Sequence, residues 1–565
     1  MCAERERGAQ GVITKADQNL QNAFSELFYL ASFGVLLFAK AVGLYDGRPG
    51  YKLLLLLGLA FFALKMITTR MSAPEWVAAV LILGMGWLVY HRTGEWGILL
   101  YLTMMLGMKN VSEKRVFRLG CVIWSVCLIS MAALTESGLL SEMVLVHEKS
   151  GFGWIIRHTL GYTHPNVLHV TYLVLMGFLL YSLDEYLNNR QFLAVLVILF
   201  LGSIAVFVSS VSFTGMLATT AYLIFSLYFR FRKRISKVEK ILILLILPAY
   251  LAFMLIGPLV LKGTALYDRI NSMLTTRYEL TYYFLTQQPI TLFGTRFTVP
   301  NYRYTMDSSY VYLFMQLGII PFILVIAAIY ALIIDAMKNH RRAELALIFG
   351  FLSCGVTEPF LFNSAYKNLI FIFLGQWMYQ NLARWSFVQH KGKIVTWSPV
   401  DLVIRKRIPA RSIWNGICGA VHRLERRVSH FLGILFNTWK KHIAICFLVA
   451  AVGMGAGCAV YAAVTVEPSI IYVPEDHMDD HDQPDVVLSE EEQKNLREAN
   501  GLVIGKLSDG ADTLLSQVRD STKHWEYIRR ILDAGIWTAV ILAAGYVAAE
   551  TGRAHGKQQA KEHIS

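Results

Sequence analysis

Charge is what this chain has least of. Acidic and basic residues make up 16% of its 565 positions, against about a quarter in a soluble domain, while 55% are hydrophobic and the mean hydropathy is +0.46. The hydrophobic residues run in long blocks rather than alternating with polar ones, which excludes a soluble enzyme, a fibrous protein and a disordered tail protein. Familiar chemical signatures are also missing: there is no phosphate-binding glycine loop, no Cys-x-x-Cys pair and no His-Glu-x-x-His. No internal repeat or low-complexity tract is present. Cys121, Cys127, Cys354, Cys446 and Cys458 fall in apolar blocks, and Cys2 and Cys418 in segments expected inside, so no disulfide is expected. The first twenty residues lack the short apolar core and small-residue cleavage site of a removed leader, so the first hydrophobic segment is expected to stay as an anchor.

What is present is a series of segments long enough to cross about 30 Å of hydrocarbon. They lie near residues 24–45, 51–67, 75–91, 94–108, 116–135, 167–183, 191–208, 210–230, 240–261, 309–335, 344–363 and 367–383, with two more at 442–465 and 532–549. The pattern predicts an all-α polytopic membrane protein: a core of about twelve helices and a two-helix C-terminal membrane module. The net charge of +13 does not point to nucleic acid, because most of the surplus lies between hydrophobic segments, where Lys and Arg orient the chain in the bilayer. With the N-terminus (1–23) inside, the clusters Lys109–Arg118, Arg230–Arg234 and Lys338–Arg342 all fall inside. So does the linker 384–441, which has twelve Lys/Arg against Asp401 and Glu425, a net of +10, and so does the tail 550–565. The core is then 24–383, with outside loops at 136–166 and 262–308. The C-terminal module is 442–549, with an outside segment at 466–531.

Loop 262–308 carries Lys262, Arg269, Arg277, Arg296 and Arg303 against Asp268, Glu279 and Asp307. Five cations in one outside loop run against the topology bias, and arginine offers a permanent charge on a planar fork suited to phosphate. The pattern fits a pocket for a phosphorylated or pyrophosphorylated ligand, or ordinary loop salt bridging. Loop 136–166 ends in Arg157-His158 and His164-Pro165-Asn166, groups able to bind an anion, shuttle a proton or hydrogen-bond at the membrane interface. Glu358 sits inside the segment 344–363 and needs an Arg or a polar cavity. No chain of intramembrane acids suggests a proton-driven transporter. The run Asp476-His477-Met-Asp479-Asp480-His481-Asp482 has ligand chemistry for a divalent cation, but flexible acidic loops bind ions weakly and no metal is assigned.

Three segments in order carry a further pattern: Leu274-Thr-Thr-Arg277, Leu292-Phe-Gly294, and Met306-Asp307-Ser308-Ser309-Tyr310-Val-Tyr-Leu-Phe-Met-Gln-Leu-Gly318. With Gly161–Asn166 as a Gly-x-x-His-Pro-Asn segment and Glu358 as the acid of the penultimate core helix, the stretch of about 20–385 resembles the Wzy/O-antigen ligase superfamily of bacterial membrane glycan polymerases and ligases. Two positions depart from that family. Ser212-Phe213-Thr214-Gly215 has Phe213 where the family often has Arg, and Ser308 stands where it has Asn.

The resemblance implies an inverting glycosyltransferase of the bacterial cytoplasmic membrane that joins repeat units carried on undecaprenyl pyrophosphate at the outer face. It needs no metal or nucleotide cofactor. It implies pyrophosphate binding by Arg277 and Arg157 with Arg303 or Arg296, a general base at Asp307 or His164, and support from Glu358, Asn166 and Tyr310. The implied partners are the lipid-linked glycan, the bilayer, and the chain-length regulator and flippase of the same pathway. The alternatives are ligase-type transfer of a finished glycan, which Asp rather than His at 307 disfavours, a lipid-linked sugar transporter, and a membrane scaffold.

The C-terminal module is similar in layout to Wzz-type chain-length regulators, two helices flanking an outside segment, although that segment is far shorter. Residues 467–530 hold 15 Asp/Glu against 7 Lys/Arg. Ser489–Glu492 offers a capping box, and Leu496, Val503, Leu507 and Leu514 recur at helical spacing, with Gly501, Gly505 and Gly510 weakening any helix there. The module is expected to assist assembly or product length, or to be a lineage-specific appendage.

Overall fold

The computed structural model describes residues 15–149, 151–301, 304–389, 396–400, 410–477, 486–505 and 514–562. It is mostly helical, and ten of the described helices are long and apolar enough to cross a membrane. The chain is therefore a polytopic membrane protein. Hydrocarbon offers no partner to a backbone N–H or C=O, so an apolar segment that crosses it must close its own hydrogen bonds as a helix. These ten coincide with ten of the expected segments. The remaining four are helical but shorter or less apolar: Gly97–Leu106, Phe213–Phe231, Arg342–Cys354 and Ile370–Gln389. The expected segment 344–363 is broken. Its helix stops at Cys354, Glu358 is extended (φ −135°, ψ 137°), and one 3₁₀ turn, Pro359–Leu361, follows before the chain turns into Ile370–Gln389.

The chain divides into two compact units. The first holds Met1–Ser130, Val170–Tyr186 and Phe213–Val403. Its helices approach closely where glycine removes the side chain, as expected where helix contact rests on packing rather than on a hydrophobic drive. A Cβ on Gly120 would overlap the Phe178 ring, and one on Gly97 would stand 2.7 Å from the Phe362 carbonyl. Trp124, fully buried, donates its indole N–H to the Thr171 carbonyl at 2.7 Å. Part of the expected linker also belongs to this unit. Thr396–Trp397 pairs antiparallel with Met71–Ser72, and Trp397 stacks on Trp76 with centroids 5.1 Å apart.

The second unit holds Met131–His169, Leu187–Ser212 and Ile404–Ser565. Loop 136–166 is a β-hairpin in which Val144–Lys149 pairs antiparallel with Gly153–His158. The segment 466–531 is a small sheet in which Ile471–Pro474 pairs parallel with Leu502–Val503 and antiparallel with Leu515–Gln517. Val144, Val146 and Ile156 of the hairpin form one buried cluster with Ile471, Val473, Ile504 and Val518. The module expected to stand apart thus shares a core with loop 136–166. The expected helical spacing through Leu496–Leu514 is only partly realised. The capping box at Ser489 and Glu492 starts a helix, Glu490–Glu498, which ends at Asn500 (φ 58°). Val503 is then in a strand, Leu514 directly precedes one, and Leu507 and Gly510 lie outside the described residues. Residues 478–482 of the acidic run also lie outside them. The long helix Ala410–Val464 is interrupted at His442 (φ −108°, ψ 16°), which lies inside the candidate span Asn437–Val464.

Candidate functional site

In the first unit the motif segments converge on Arg277. This residue opens the helix Arg277–Gln287, directly after Thr275 (φ 53°) and Thr276 (φ 64°). Two successive β-branched residues in the left-handed region are strained, each costing roughly 1–3 kcal/mol, and such strain collects where a side chain must be aimed. The turn is held by Thr276 N–H to the Asn271 carbonyl at 3.0 Å. Arg277 Nε donates to Asp307 Oδ2 at 3.1 Å and Nη2 to Glu358 Oε1 at 3.3 Å, and Thr214 Oγ donates to the same Glu358 oxygen at 2.9 Å. The side chains of Arg277 and Glu358 are 11% and 10% exposed, that of Asp307 29%. One guanidinium thus faces two carboxylates in a largely water-free site, where an unpaired charge would be costly. Asp307 is the member that solvent or a ligand reaches most readily.

The residues after Asp307 hold the broken helix that carries Glu358. Ser309 Oγ donates to the Glu358 carbonyl at 2.5 Å and accepts the Leu361 N–H at 3.2 Å. Ser308 Oγ donates to the Gly355 carbonyl at 3.3 Å, and Tyr310 hydroxyl to the Leu352 carbonyl at 2.6 Å. Tyr310 is therefore a buried support rather than a ligand-facing group. The glycines that close the other two motifs meet each other. Gly294 (φ 79°) and Gly318 (φ 97°) both have backbone that only glycine adopts easily, and a Cβ on Gly318 would stand 2.7 Å from the Leu292 carbonyl. The Ile319 and Ile320 N–H groups donate to the Thr291 and Leu292 carbonyls, both at 3.0 Å, which pins the end of the loop to the next helix.

The other expected cations separate. Lys262 is held at the surface by Glu279 at 2.5 Å, lies 4.7 Å from both the Tyr267 and Tyr282 ring centroids, and through its hydrogen bond keeps the Glu279 carboxyl below its ordinary range. Arg269 is exposed. Arg296 is exposed with its guanidinium over Gly94, and among the described residues no ion pair joins it to the Arg277 cluster. Arg303 lies outside the described residues. Phe213, where the resembling family often has Arg, is 47% exposed, while its neighbour Thr214 enters the cluster.

Arg157, His164 and Asn166 belong to the second unit. Arg157 donates through Nε to the Ser210 carbonyl at 2.9 Å and through Nη2 to Asn166 Oδ1 at 2.8 Å, and Ser212 Oγ donates to the same Asn166 oxygen at 3.0 Å. Gly161 (φ 83°) admits this turn, since a Cβ there would stand 2.7 Å from Leu140 and 2.8 Å from Thr135 Oγ. His164 precedes the helix Pro165–Leu183, and its Nδ1 accepts the Asn166 N–H at 3.1 Å. With Nδ1 used as a helix cap, the neutral ring carries its proton on Nε2 and has no lone pair left for a second proton. His164 Nδ1 is thus engaged at the start of this helix, while the Asp307 carboxylate is the more open of the two expected groups.

Sequence reasoning did not single out several buried polar groups. Thr214 stands inside a quoted motif, but its contact with Glu358 spans 144 residues. Lys367 is buried, with Nζ donating to Thr171 Oγ at 2.9 Å; a lysine opening an apolar segment was the available signal. In the second unit, His158, already marked in loop 136–166, bridges Glu142 (2.9 Å) and Glu526 (3.0 Å), and Arg529, which was not, bonds Glu526 and Asp533. Burial and Arg529 lower the His158 pKa, but Glu142 and Glu526 outweigh them and raise it to about 9. Glu526, Arg529, Arg530 and Asp533 follow helical spacing, a charge pattern legible in principle. Among the described residues no group of three His, Cys, Asp or Glu could hold a metal.

Fold and site together define a multi-pass membrane protein with a largely buried arginine–carboxylate centre. No protein-family model and no curated protein matches the chain.

Proposed function

We propose that this protein is a bacterial membrane glycan polymerase, joining oligosaccharide repeat units carried on undecaprenyl pyrophosphate at the outer face of the cytoplasmic membrane. The observation that supports this reading is that Arg277 meets Asp307 and Glu358, residues from separate stretches of chain that each resemble the Wzy/O-antigen ligase superfamily, while Thr214 binds the same Glu358. Arg277 Nε and Nη2 are engaged by the two carboxylates, so among the described contacts Nη1 is left to face an anion. Asp307, the more exposed acid, takes the proton of an acceptor-sugar hydroxyl, and that oxygen attacks the anomeric carbon of the growing chain. The bond to the lipid pyrophosphate breaks with its electron pair on the pyrophosphate oxygen, and Arg277 stabilises the charge that develops there. The linkage inverts. Glu358 keeps the guanidinium oriented, and the resemblance also implies pyrophosphate binding by Arg157, with Asn166 beside it.

A lipid-linked sugar transporter is the second reading, favoured by the helix break between Cys354 and Ile370 with Glu358 and Lys367 buried in it. One experiment separates the readings. A deletion strain receives the wild-type gene or Arg277→Ala at matched membrane levels, and its glycans and lipid-linked intermediates are resolved on gels. Loss of long polymer with single units accumulating at the outer face supports the polymerase. Unchanged long chains refute the role of Arg277. Units trapped at the inner face mean transport, and polymer retained on the lipid carrier means a ligase.

A further inference from the structure

The start of the helix Asp520–Glu562 meets the hairpin strand Gly153–His158 through four contacts. Arg519 sits over the Trp154 ring at 5.1 Å, and Thr522 Oγ donates to the Trp154 carbonyl at 2.9 Å. Trp525 packs on Phe152 with centroids 5.5 Å apart. The next residue, Glu526, meets His158 Nε2 at 3.0 Å. Glu142 closes the far side of that ring with Nδ1 at 2.9 Å, and its other oxygen accepts the Thr159 and Leu160 N–H groups at 2.9 and 2.7 Å. Glu526 has a side-chain exposure of 0%, and Arg529 Nε and Arg530 Nε each donate to it at 2.8 Å. Removing one member of such a buried set strands the others, so the set holds its geometry as a unit.

Side chains alternate across a strand, so His158 and Arg157 leave the same strand on opposite faces. His158 turns to Glu142 and Glu526, Arg157 to Ser210 and Asn166. The chain then reaches His164 through the Glu142-bound amides of Thr159 and Leu160. We infer that the C-terminal segment is a built-in clamp on this loop, with Glu526 a positioning residue that sets Arg157, His164 and Asn166 through His158. The segment 442–562 is then neither an appendage nor a free module, and the loop is complete only with it. The inference concerns the geometry of the loop and stands whether or not the glycan reading does.

Hydrogen–deuterium exchange on the full-length protein in nanodiscs tests it. Glu526→Ala should raise exchange across 159–169 about tenfold or more. Glu526→Asp, which keeps the charge, should restore most of the protection. Glu550→Gln, on the same helix and, among the described residues, ion-paired with nearby Arg553, should leave the loop within twofold of wild type. If Glu526→Ala does not accumulate, Thr522→Val removes one hydrogen bond without a volume change and should give a smaller rise over the same residues. A loop whose exchange is unchanged in Glu526→Ala, or in its place Thr522→Val, overturns the clamp. So does an equal rise in every helix of the protein, which would mark a global loss of stability. Glycan gels on the same variants report on the polymerase reading separately. A loosened loop with normal polymer would remove Arg157 from that reading and leave the clamp standing.

Discussion

Replacing Ser309 by alanine should cost far more than the same change one residue earlier. Ser309 is fully buried and serves two backbone groups of the broken helix at once, accepting the Leu361 N–H at 3.2 Å and donating to the Glu358 carbonyl at 2.5 Å. Alanine leaves both without that partner, where water does not enter. A buried polar group stripped of its bond costs about 1–3 kcal/mol, so the pair should cost about 2–6 kcal/mol. Ser308 is almost as buried, yet its hydroxyl reaches only the Gly355 carbonyl, at 3.3 Å, and that carbonyl also accepts the Ser309 N–H at 2.9 Å. Its loss should stay under about 1 kcal/mol, because the carbonyl keeps its better bond. Both variants can be purified in detergent and scored by the fraction that stays monodisperse after heating, alongside an SDS unfolding titration. Ser309→Ala should unfold several degrees earlier than Ser308→Ala. If the two are equal, or Ser308→Ala is the weaker protein, Ser309 does not hold the Glu358 segment and the account of that motif is wrong.

Asp307→Asn should keep the fold and lower polymer formation by about 10²–10⁴, the range for loss of a general base; full polymerisation by the variant would remove Asp307 from the mechanism. Gly318→Ala sets a Cβ 2.7 Å from the Leu292 carbonyl at a φ of 97°, so its yield in the membrane should fall well below that of Gly84→Ala, a glycine with open space around it. Protection of the hairpin should depend on pH, since His158 faces Glu142, Glu526, Arg529, Arg530 and Asp533, with Glu136 near the same arginine. The His158 pKa is raised from 6.5 to about 9, so its contribution is complete below 6.5 and is lost as pH rises through about 9. Glu142 is lowered from 4.5, with its interactions with His158 outweighing burial, so its contribution holds above 4.5 and is lost on acidification. Exchange at the hairpin, corrected for the intrinsic rate, should be slowest between about 4.5 and 6.5 and should accelerate towards 9, and His158→Asn should abolish the alkaline limb.

The motifs were legible as residues and not as contacts. Leu-Phe-Gly294 and Gly318 stand out in the chain, but their meeting depends on two backbones approaching where neither has a side chain. The same holds for Thr214, Ser309 and Glu358, whose bonds join stretches 49 to 144 residues apart. Loop 136–166 shows its charge more plainly than its strands, although the β-branched Val144 and Val146 recur at the two-residue spacing of one strand face. The helical spacing of Leu496–Leu514 misled for the opposite reason. The local helix ends at Asn500 (φ 58°), and pairing with Ile471–Pro474 takes up Leu502–Val503 just after it.

Sequence alone determined that this is a multi-pass membrane protein and where its apolar helices run, because a span closes its hydrogen bonds within itself and asks only for about twenty apolar residues. It also pointed to Arg277, Asp307 and Glu358 as charges needing a reason, since charge is expensive where the rest is apolar. Tertiary structure alone decided that these three form one cluster, that His164 is spent as a helix cap, and that the C-terminal segment shares a core and a buried charge network with the Arg157 loop. Those outcomes depend on which distant backbone or carboxylate each polar group reaches, and local periodicity carries no record of that.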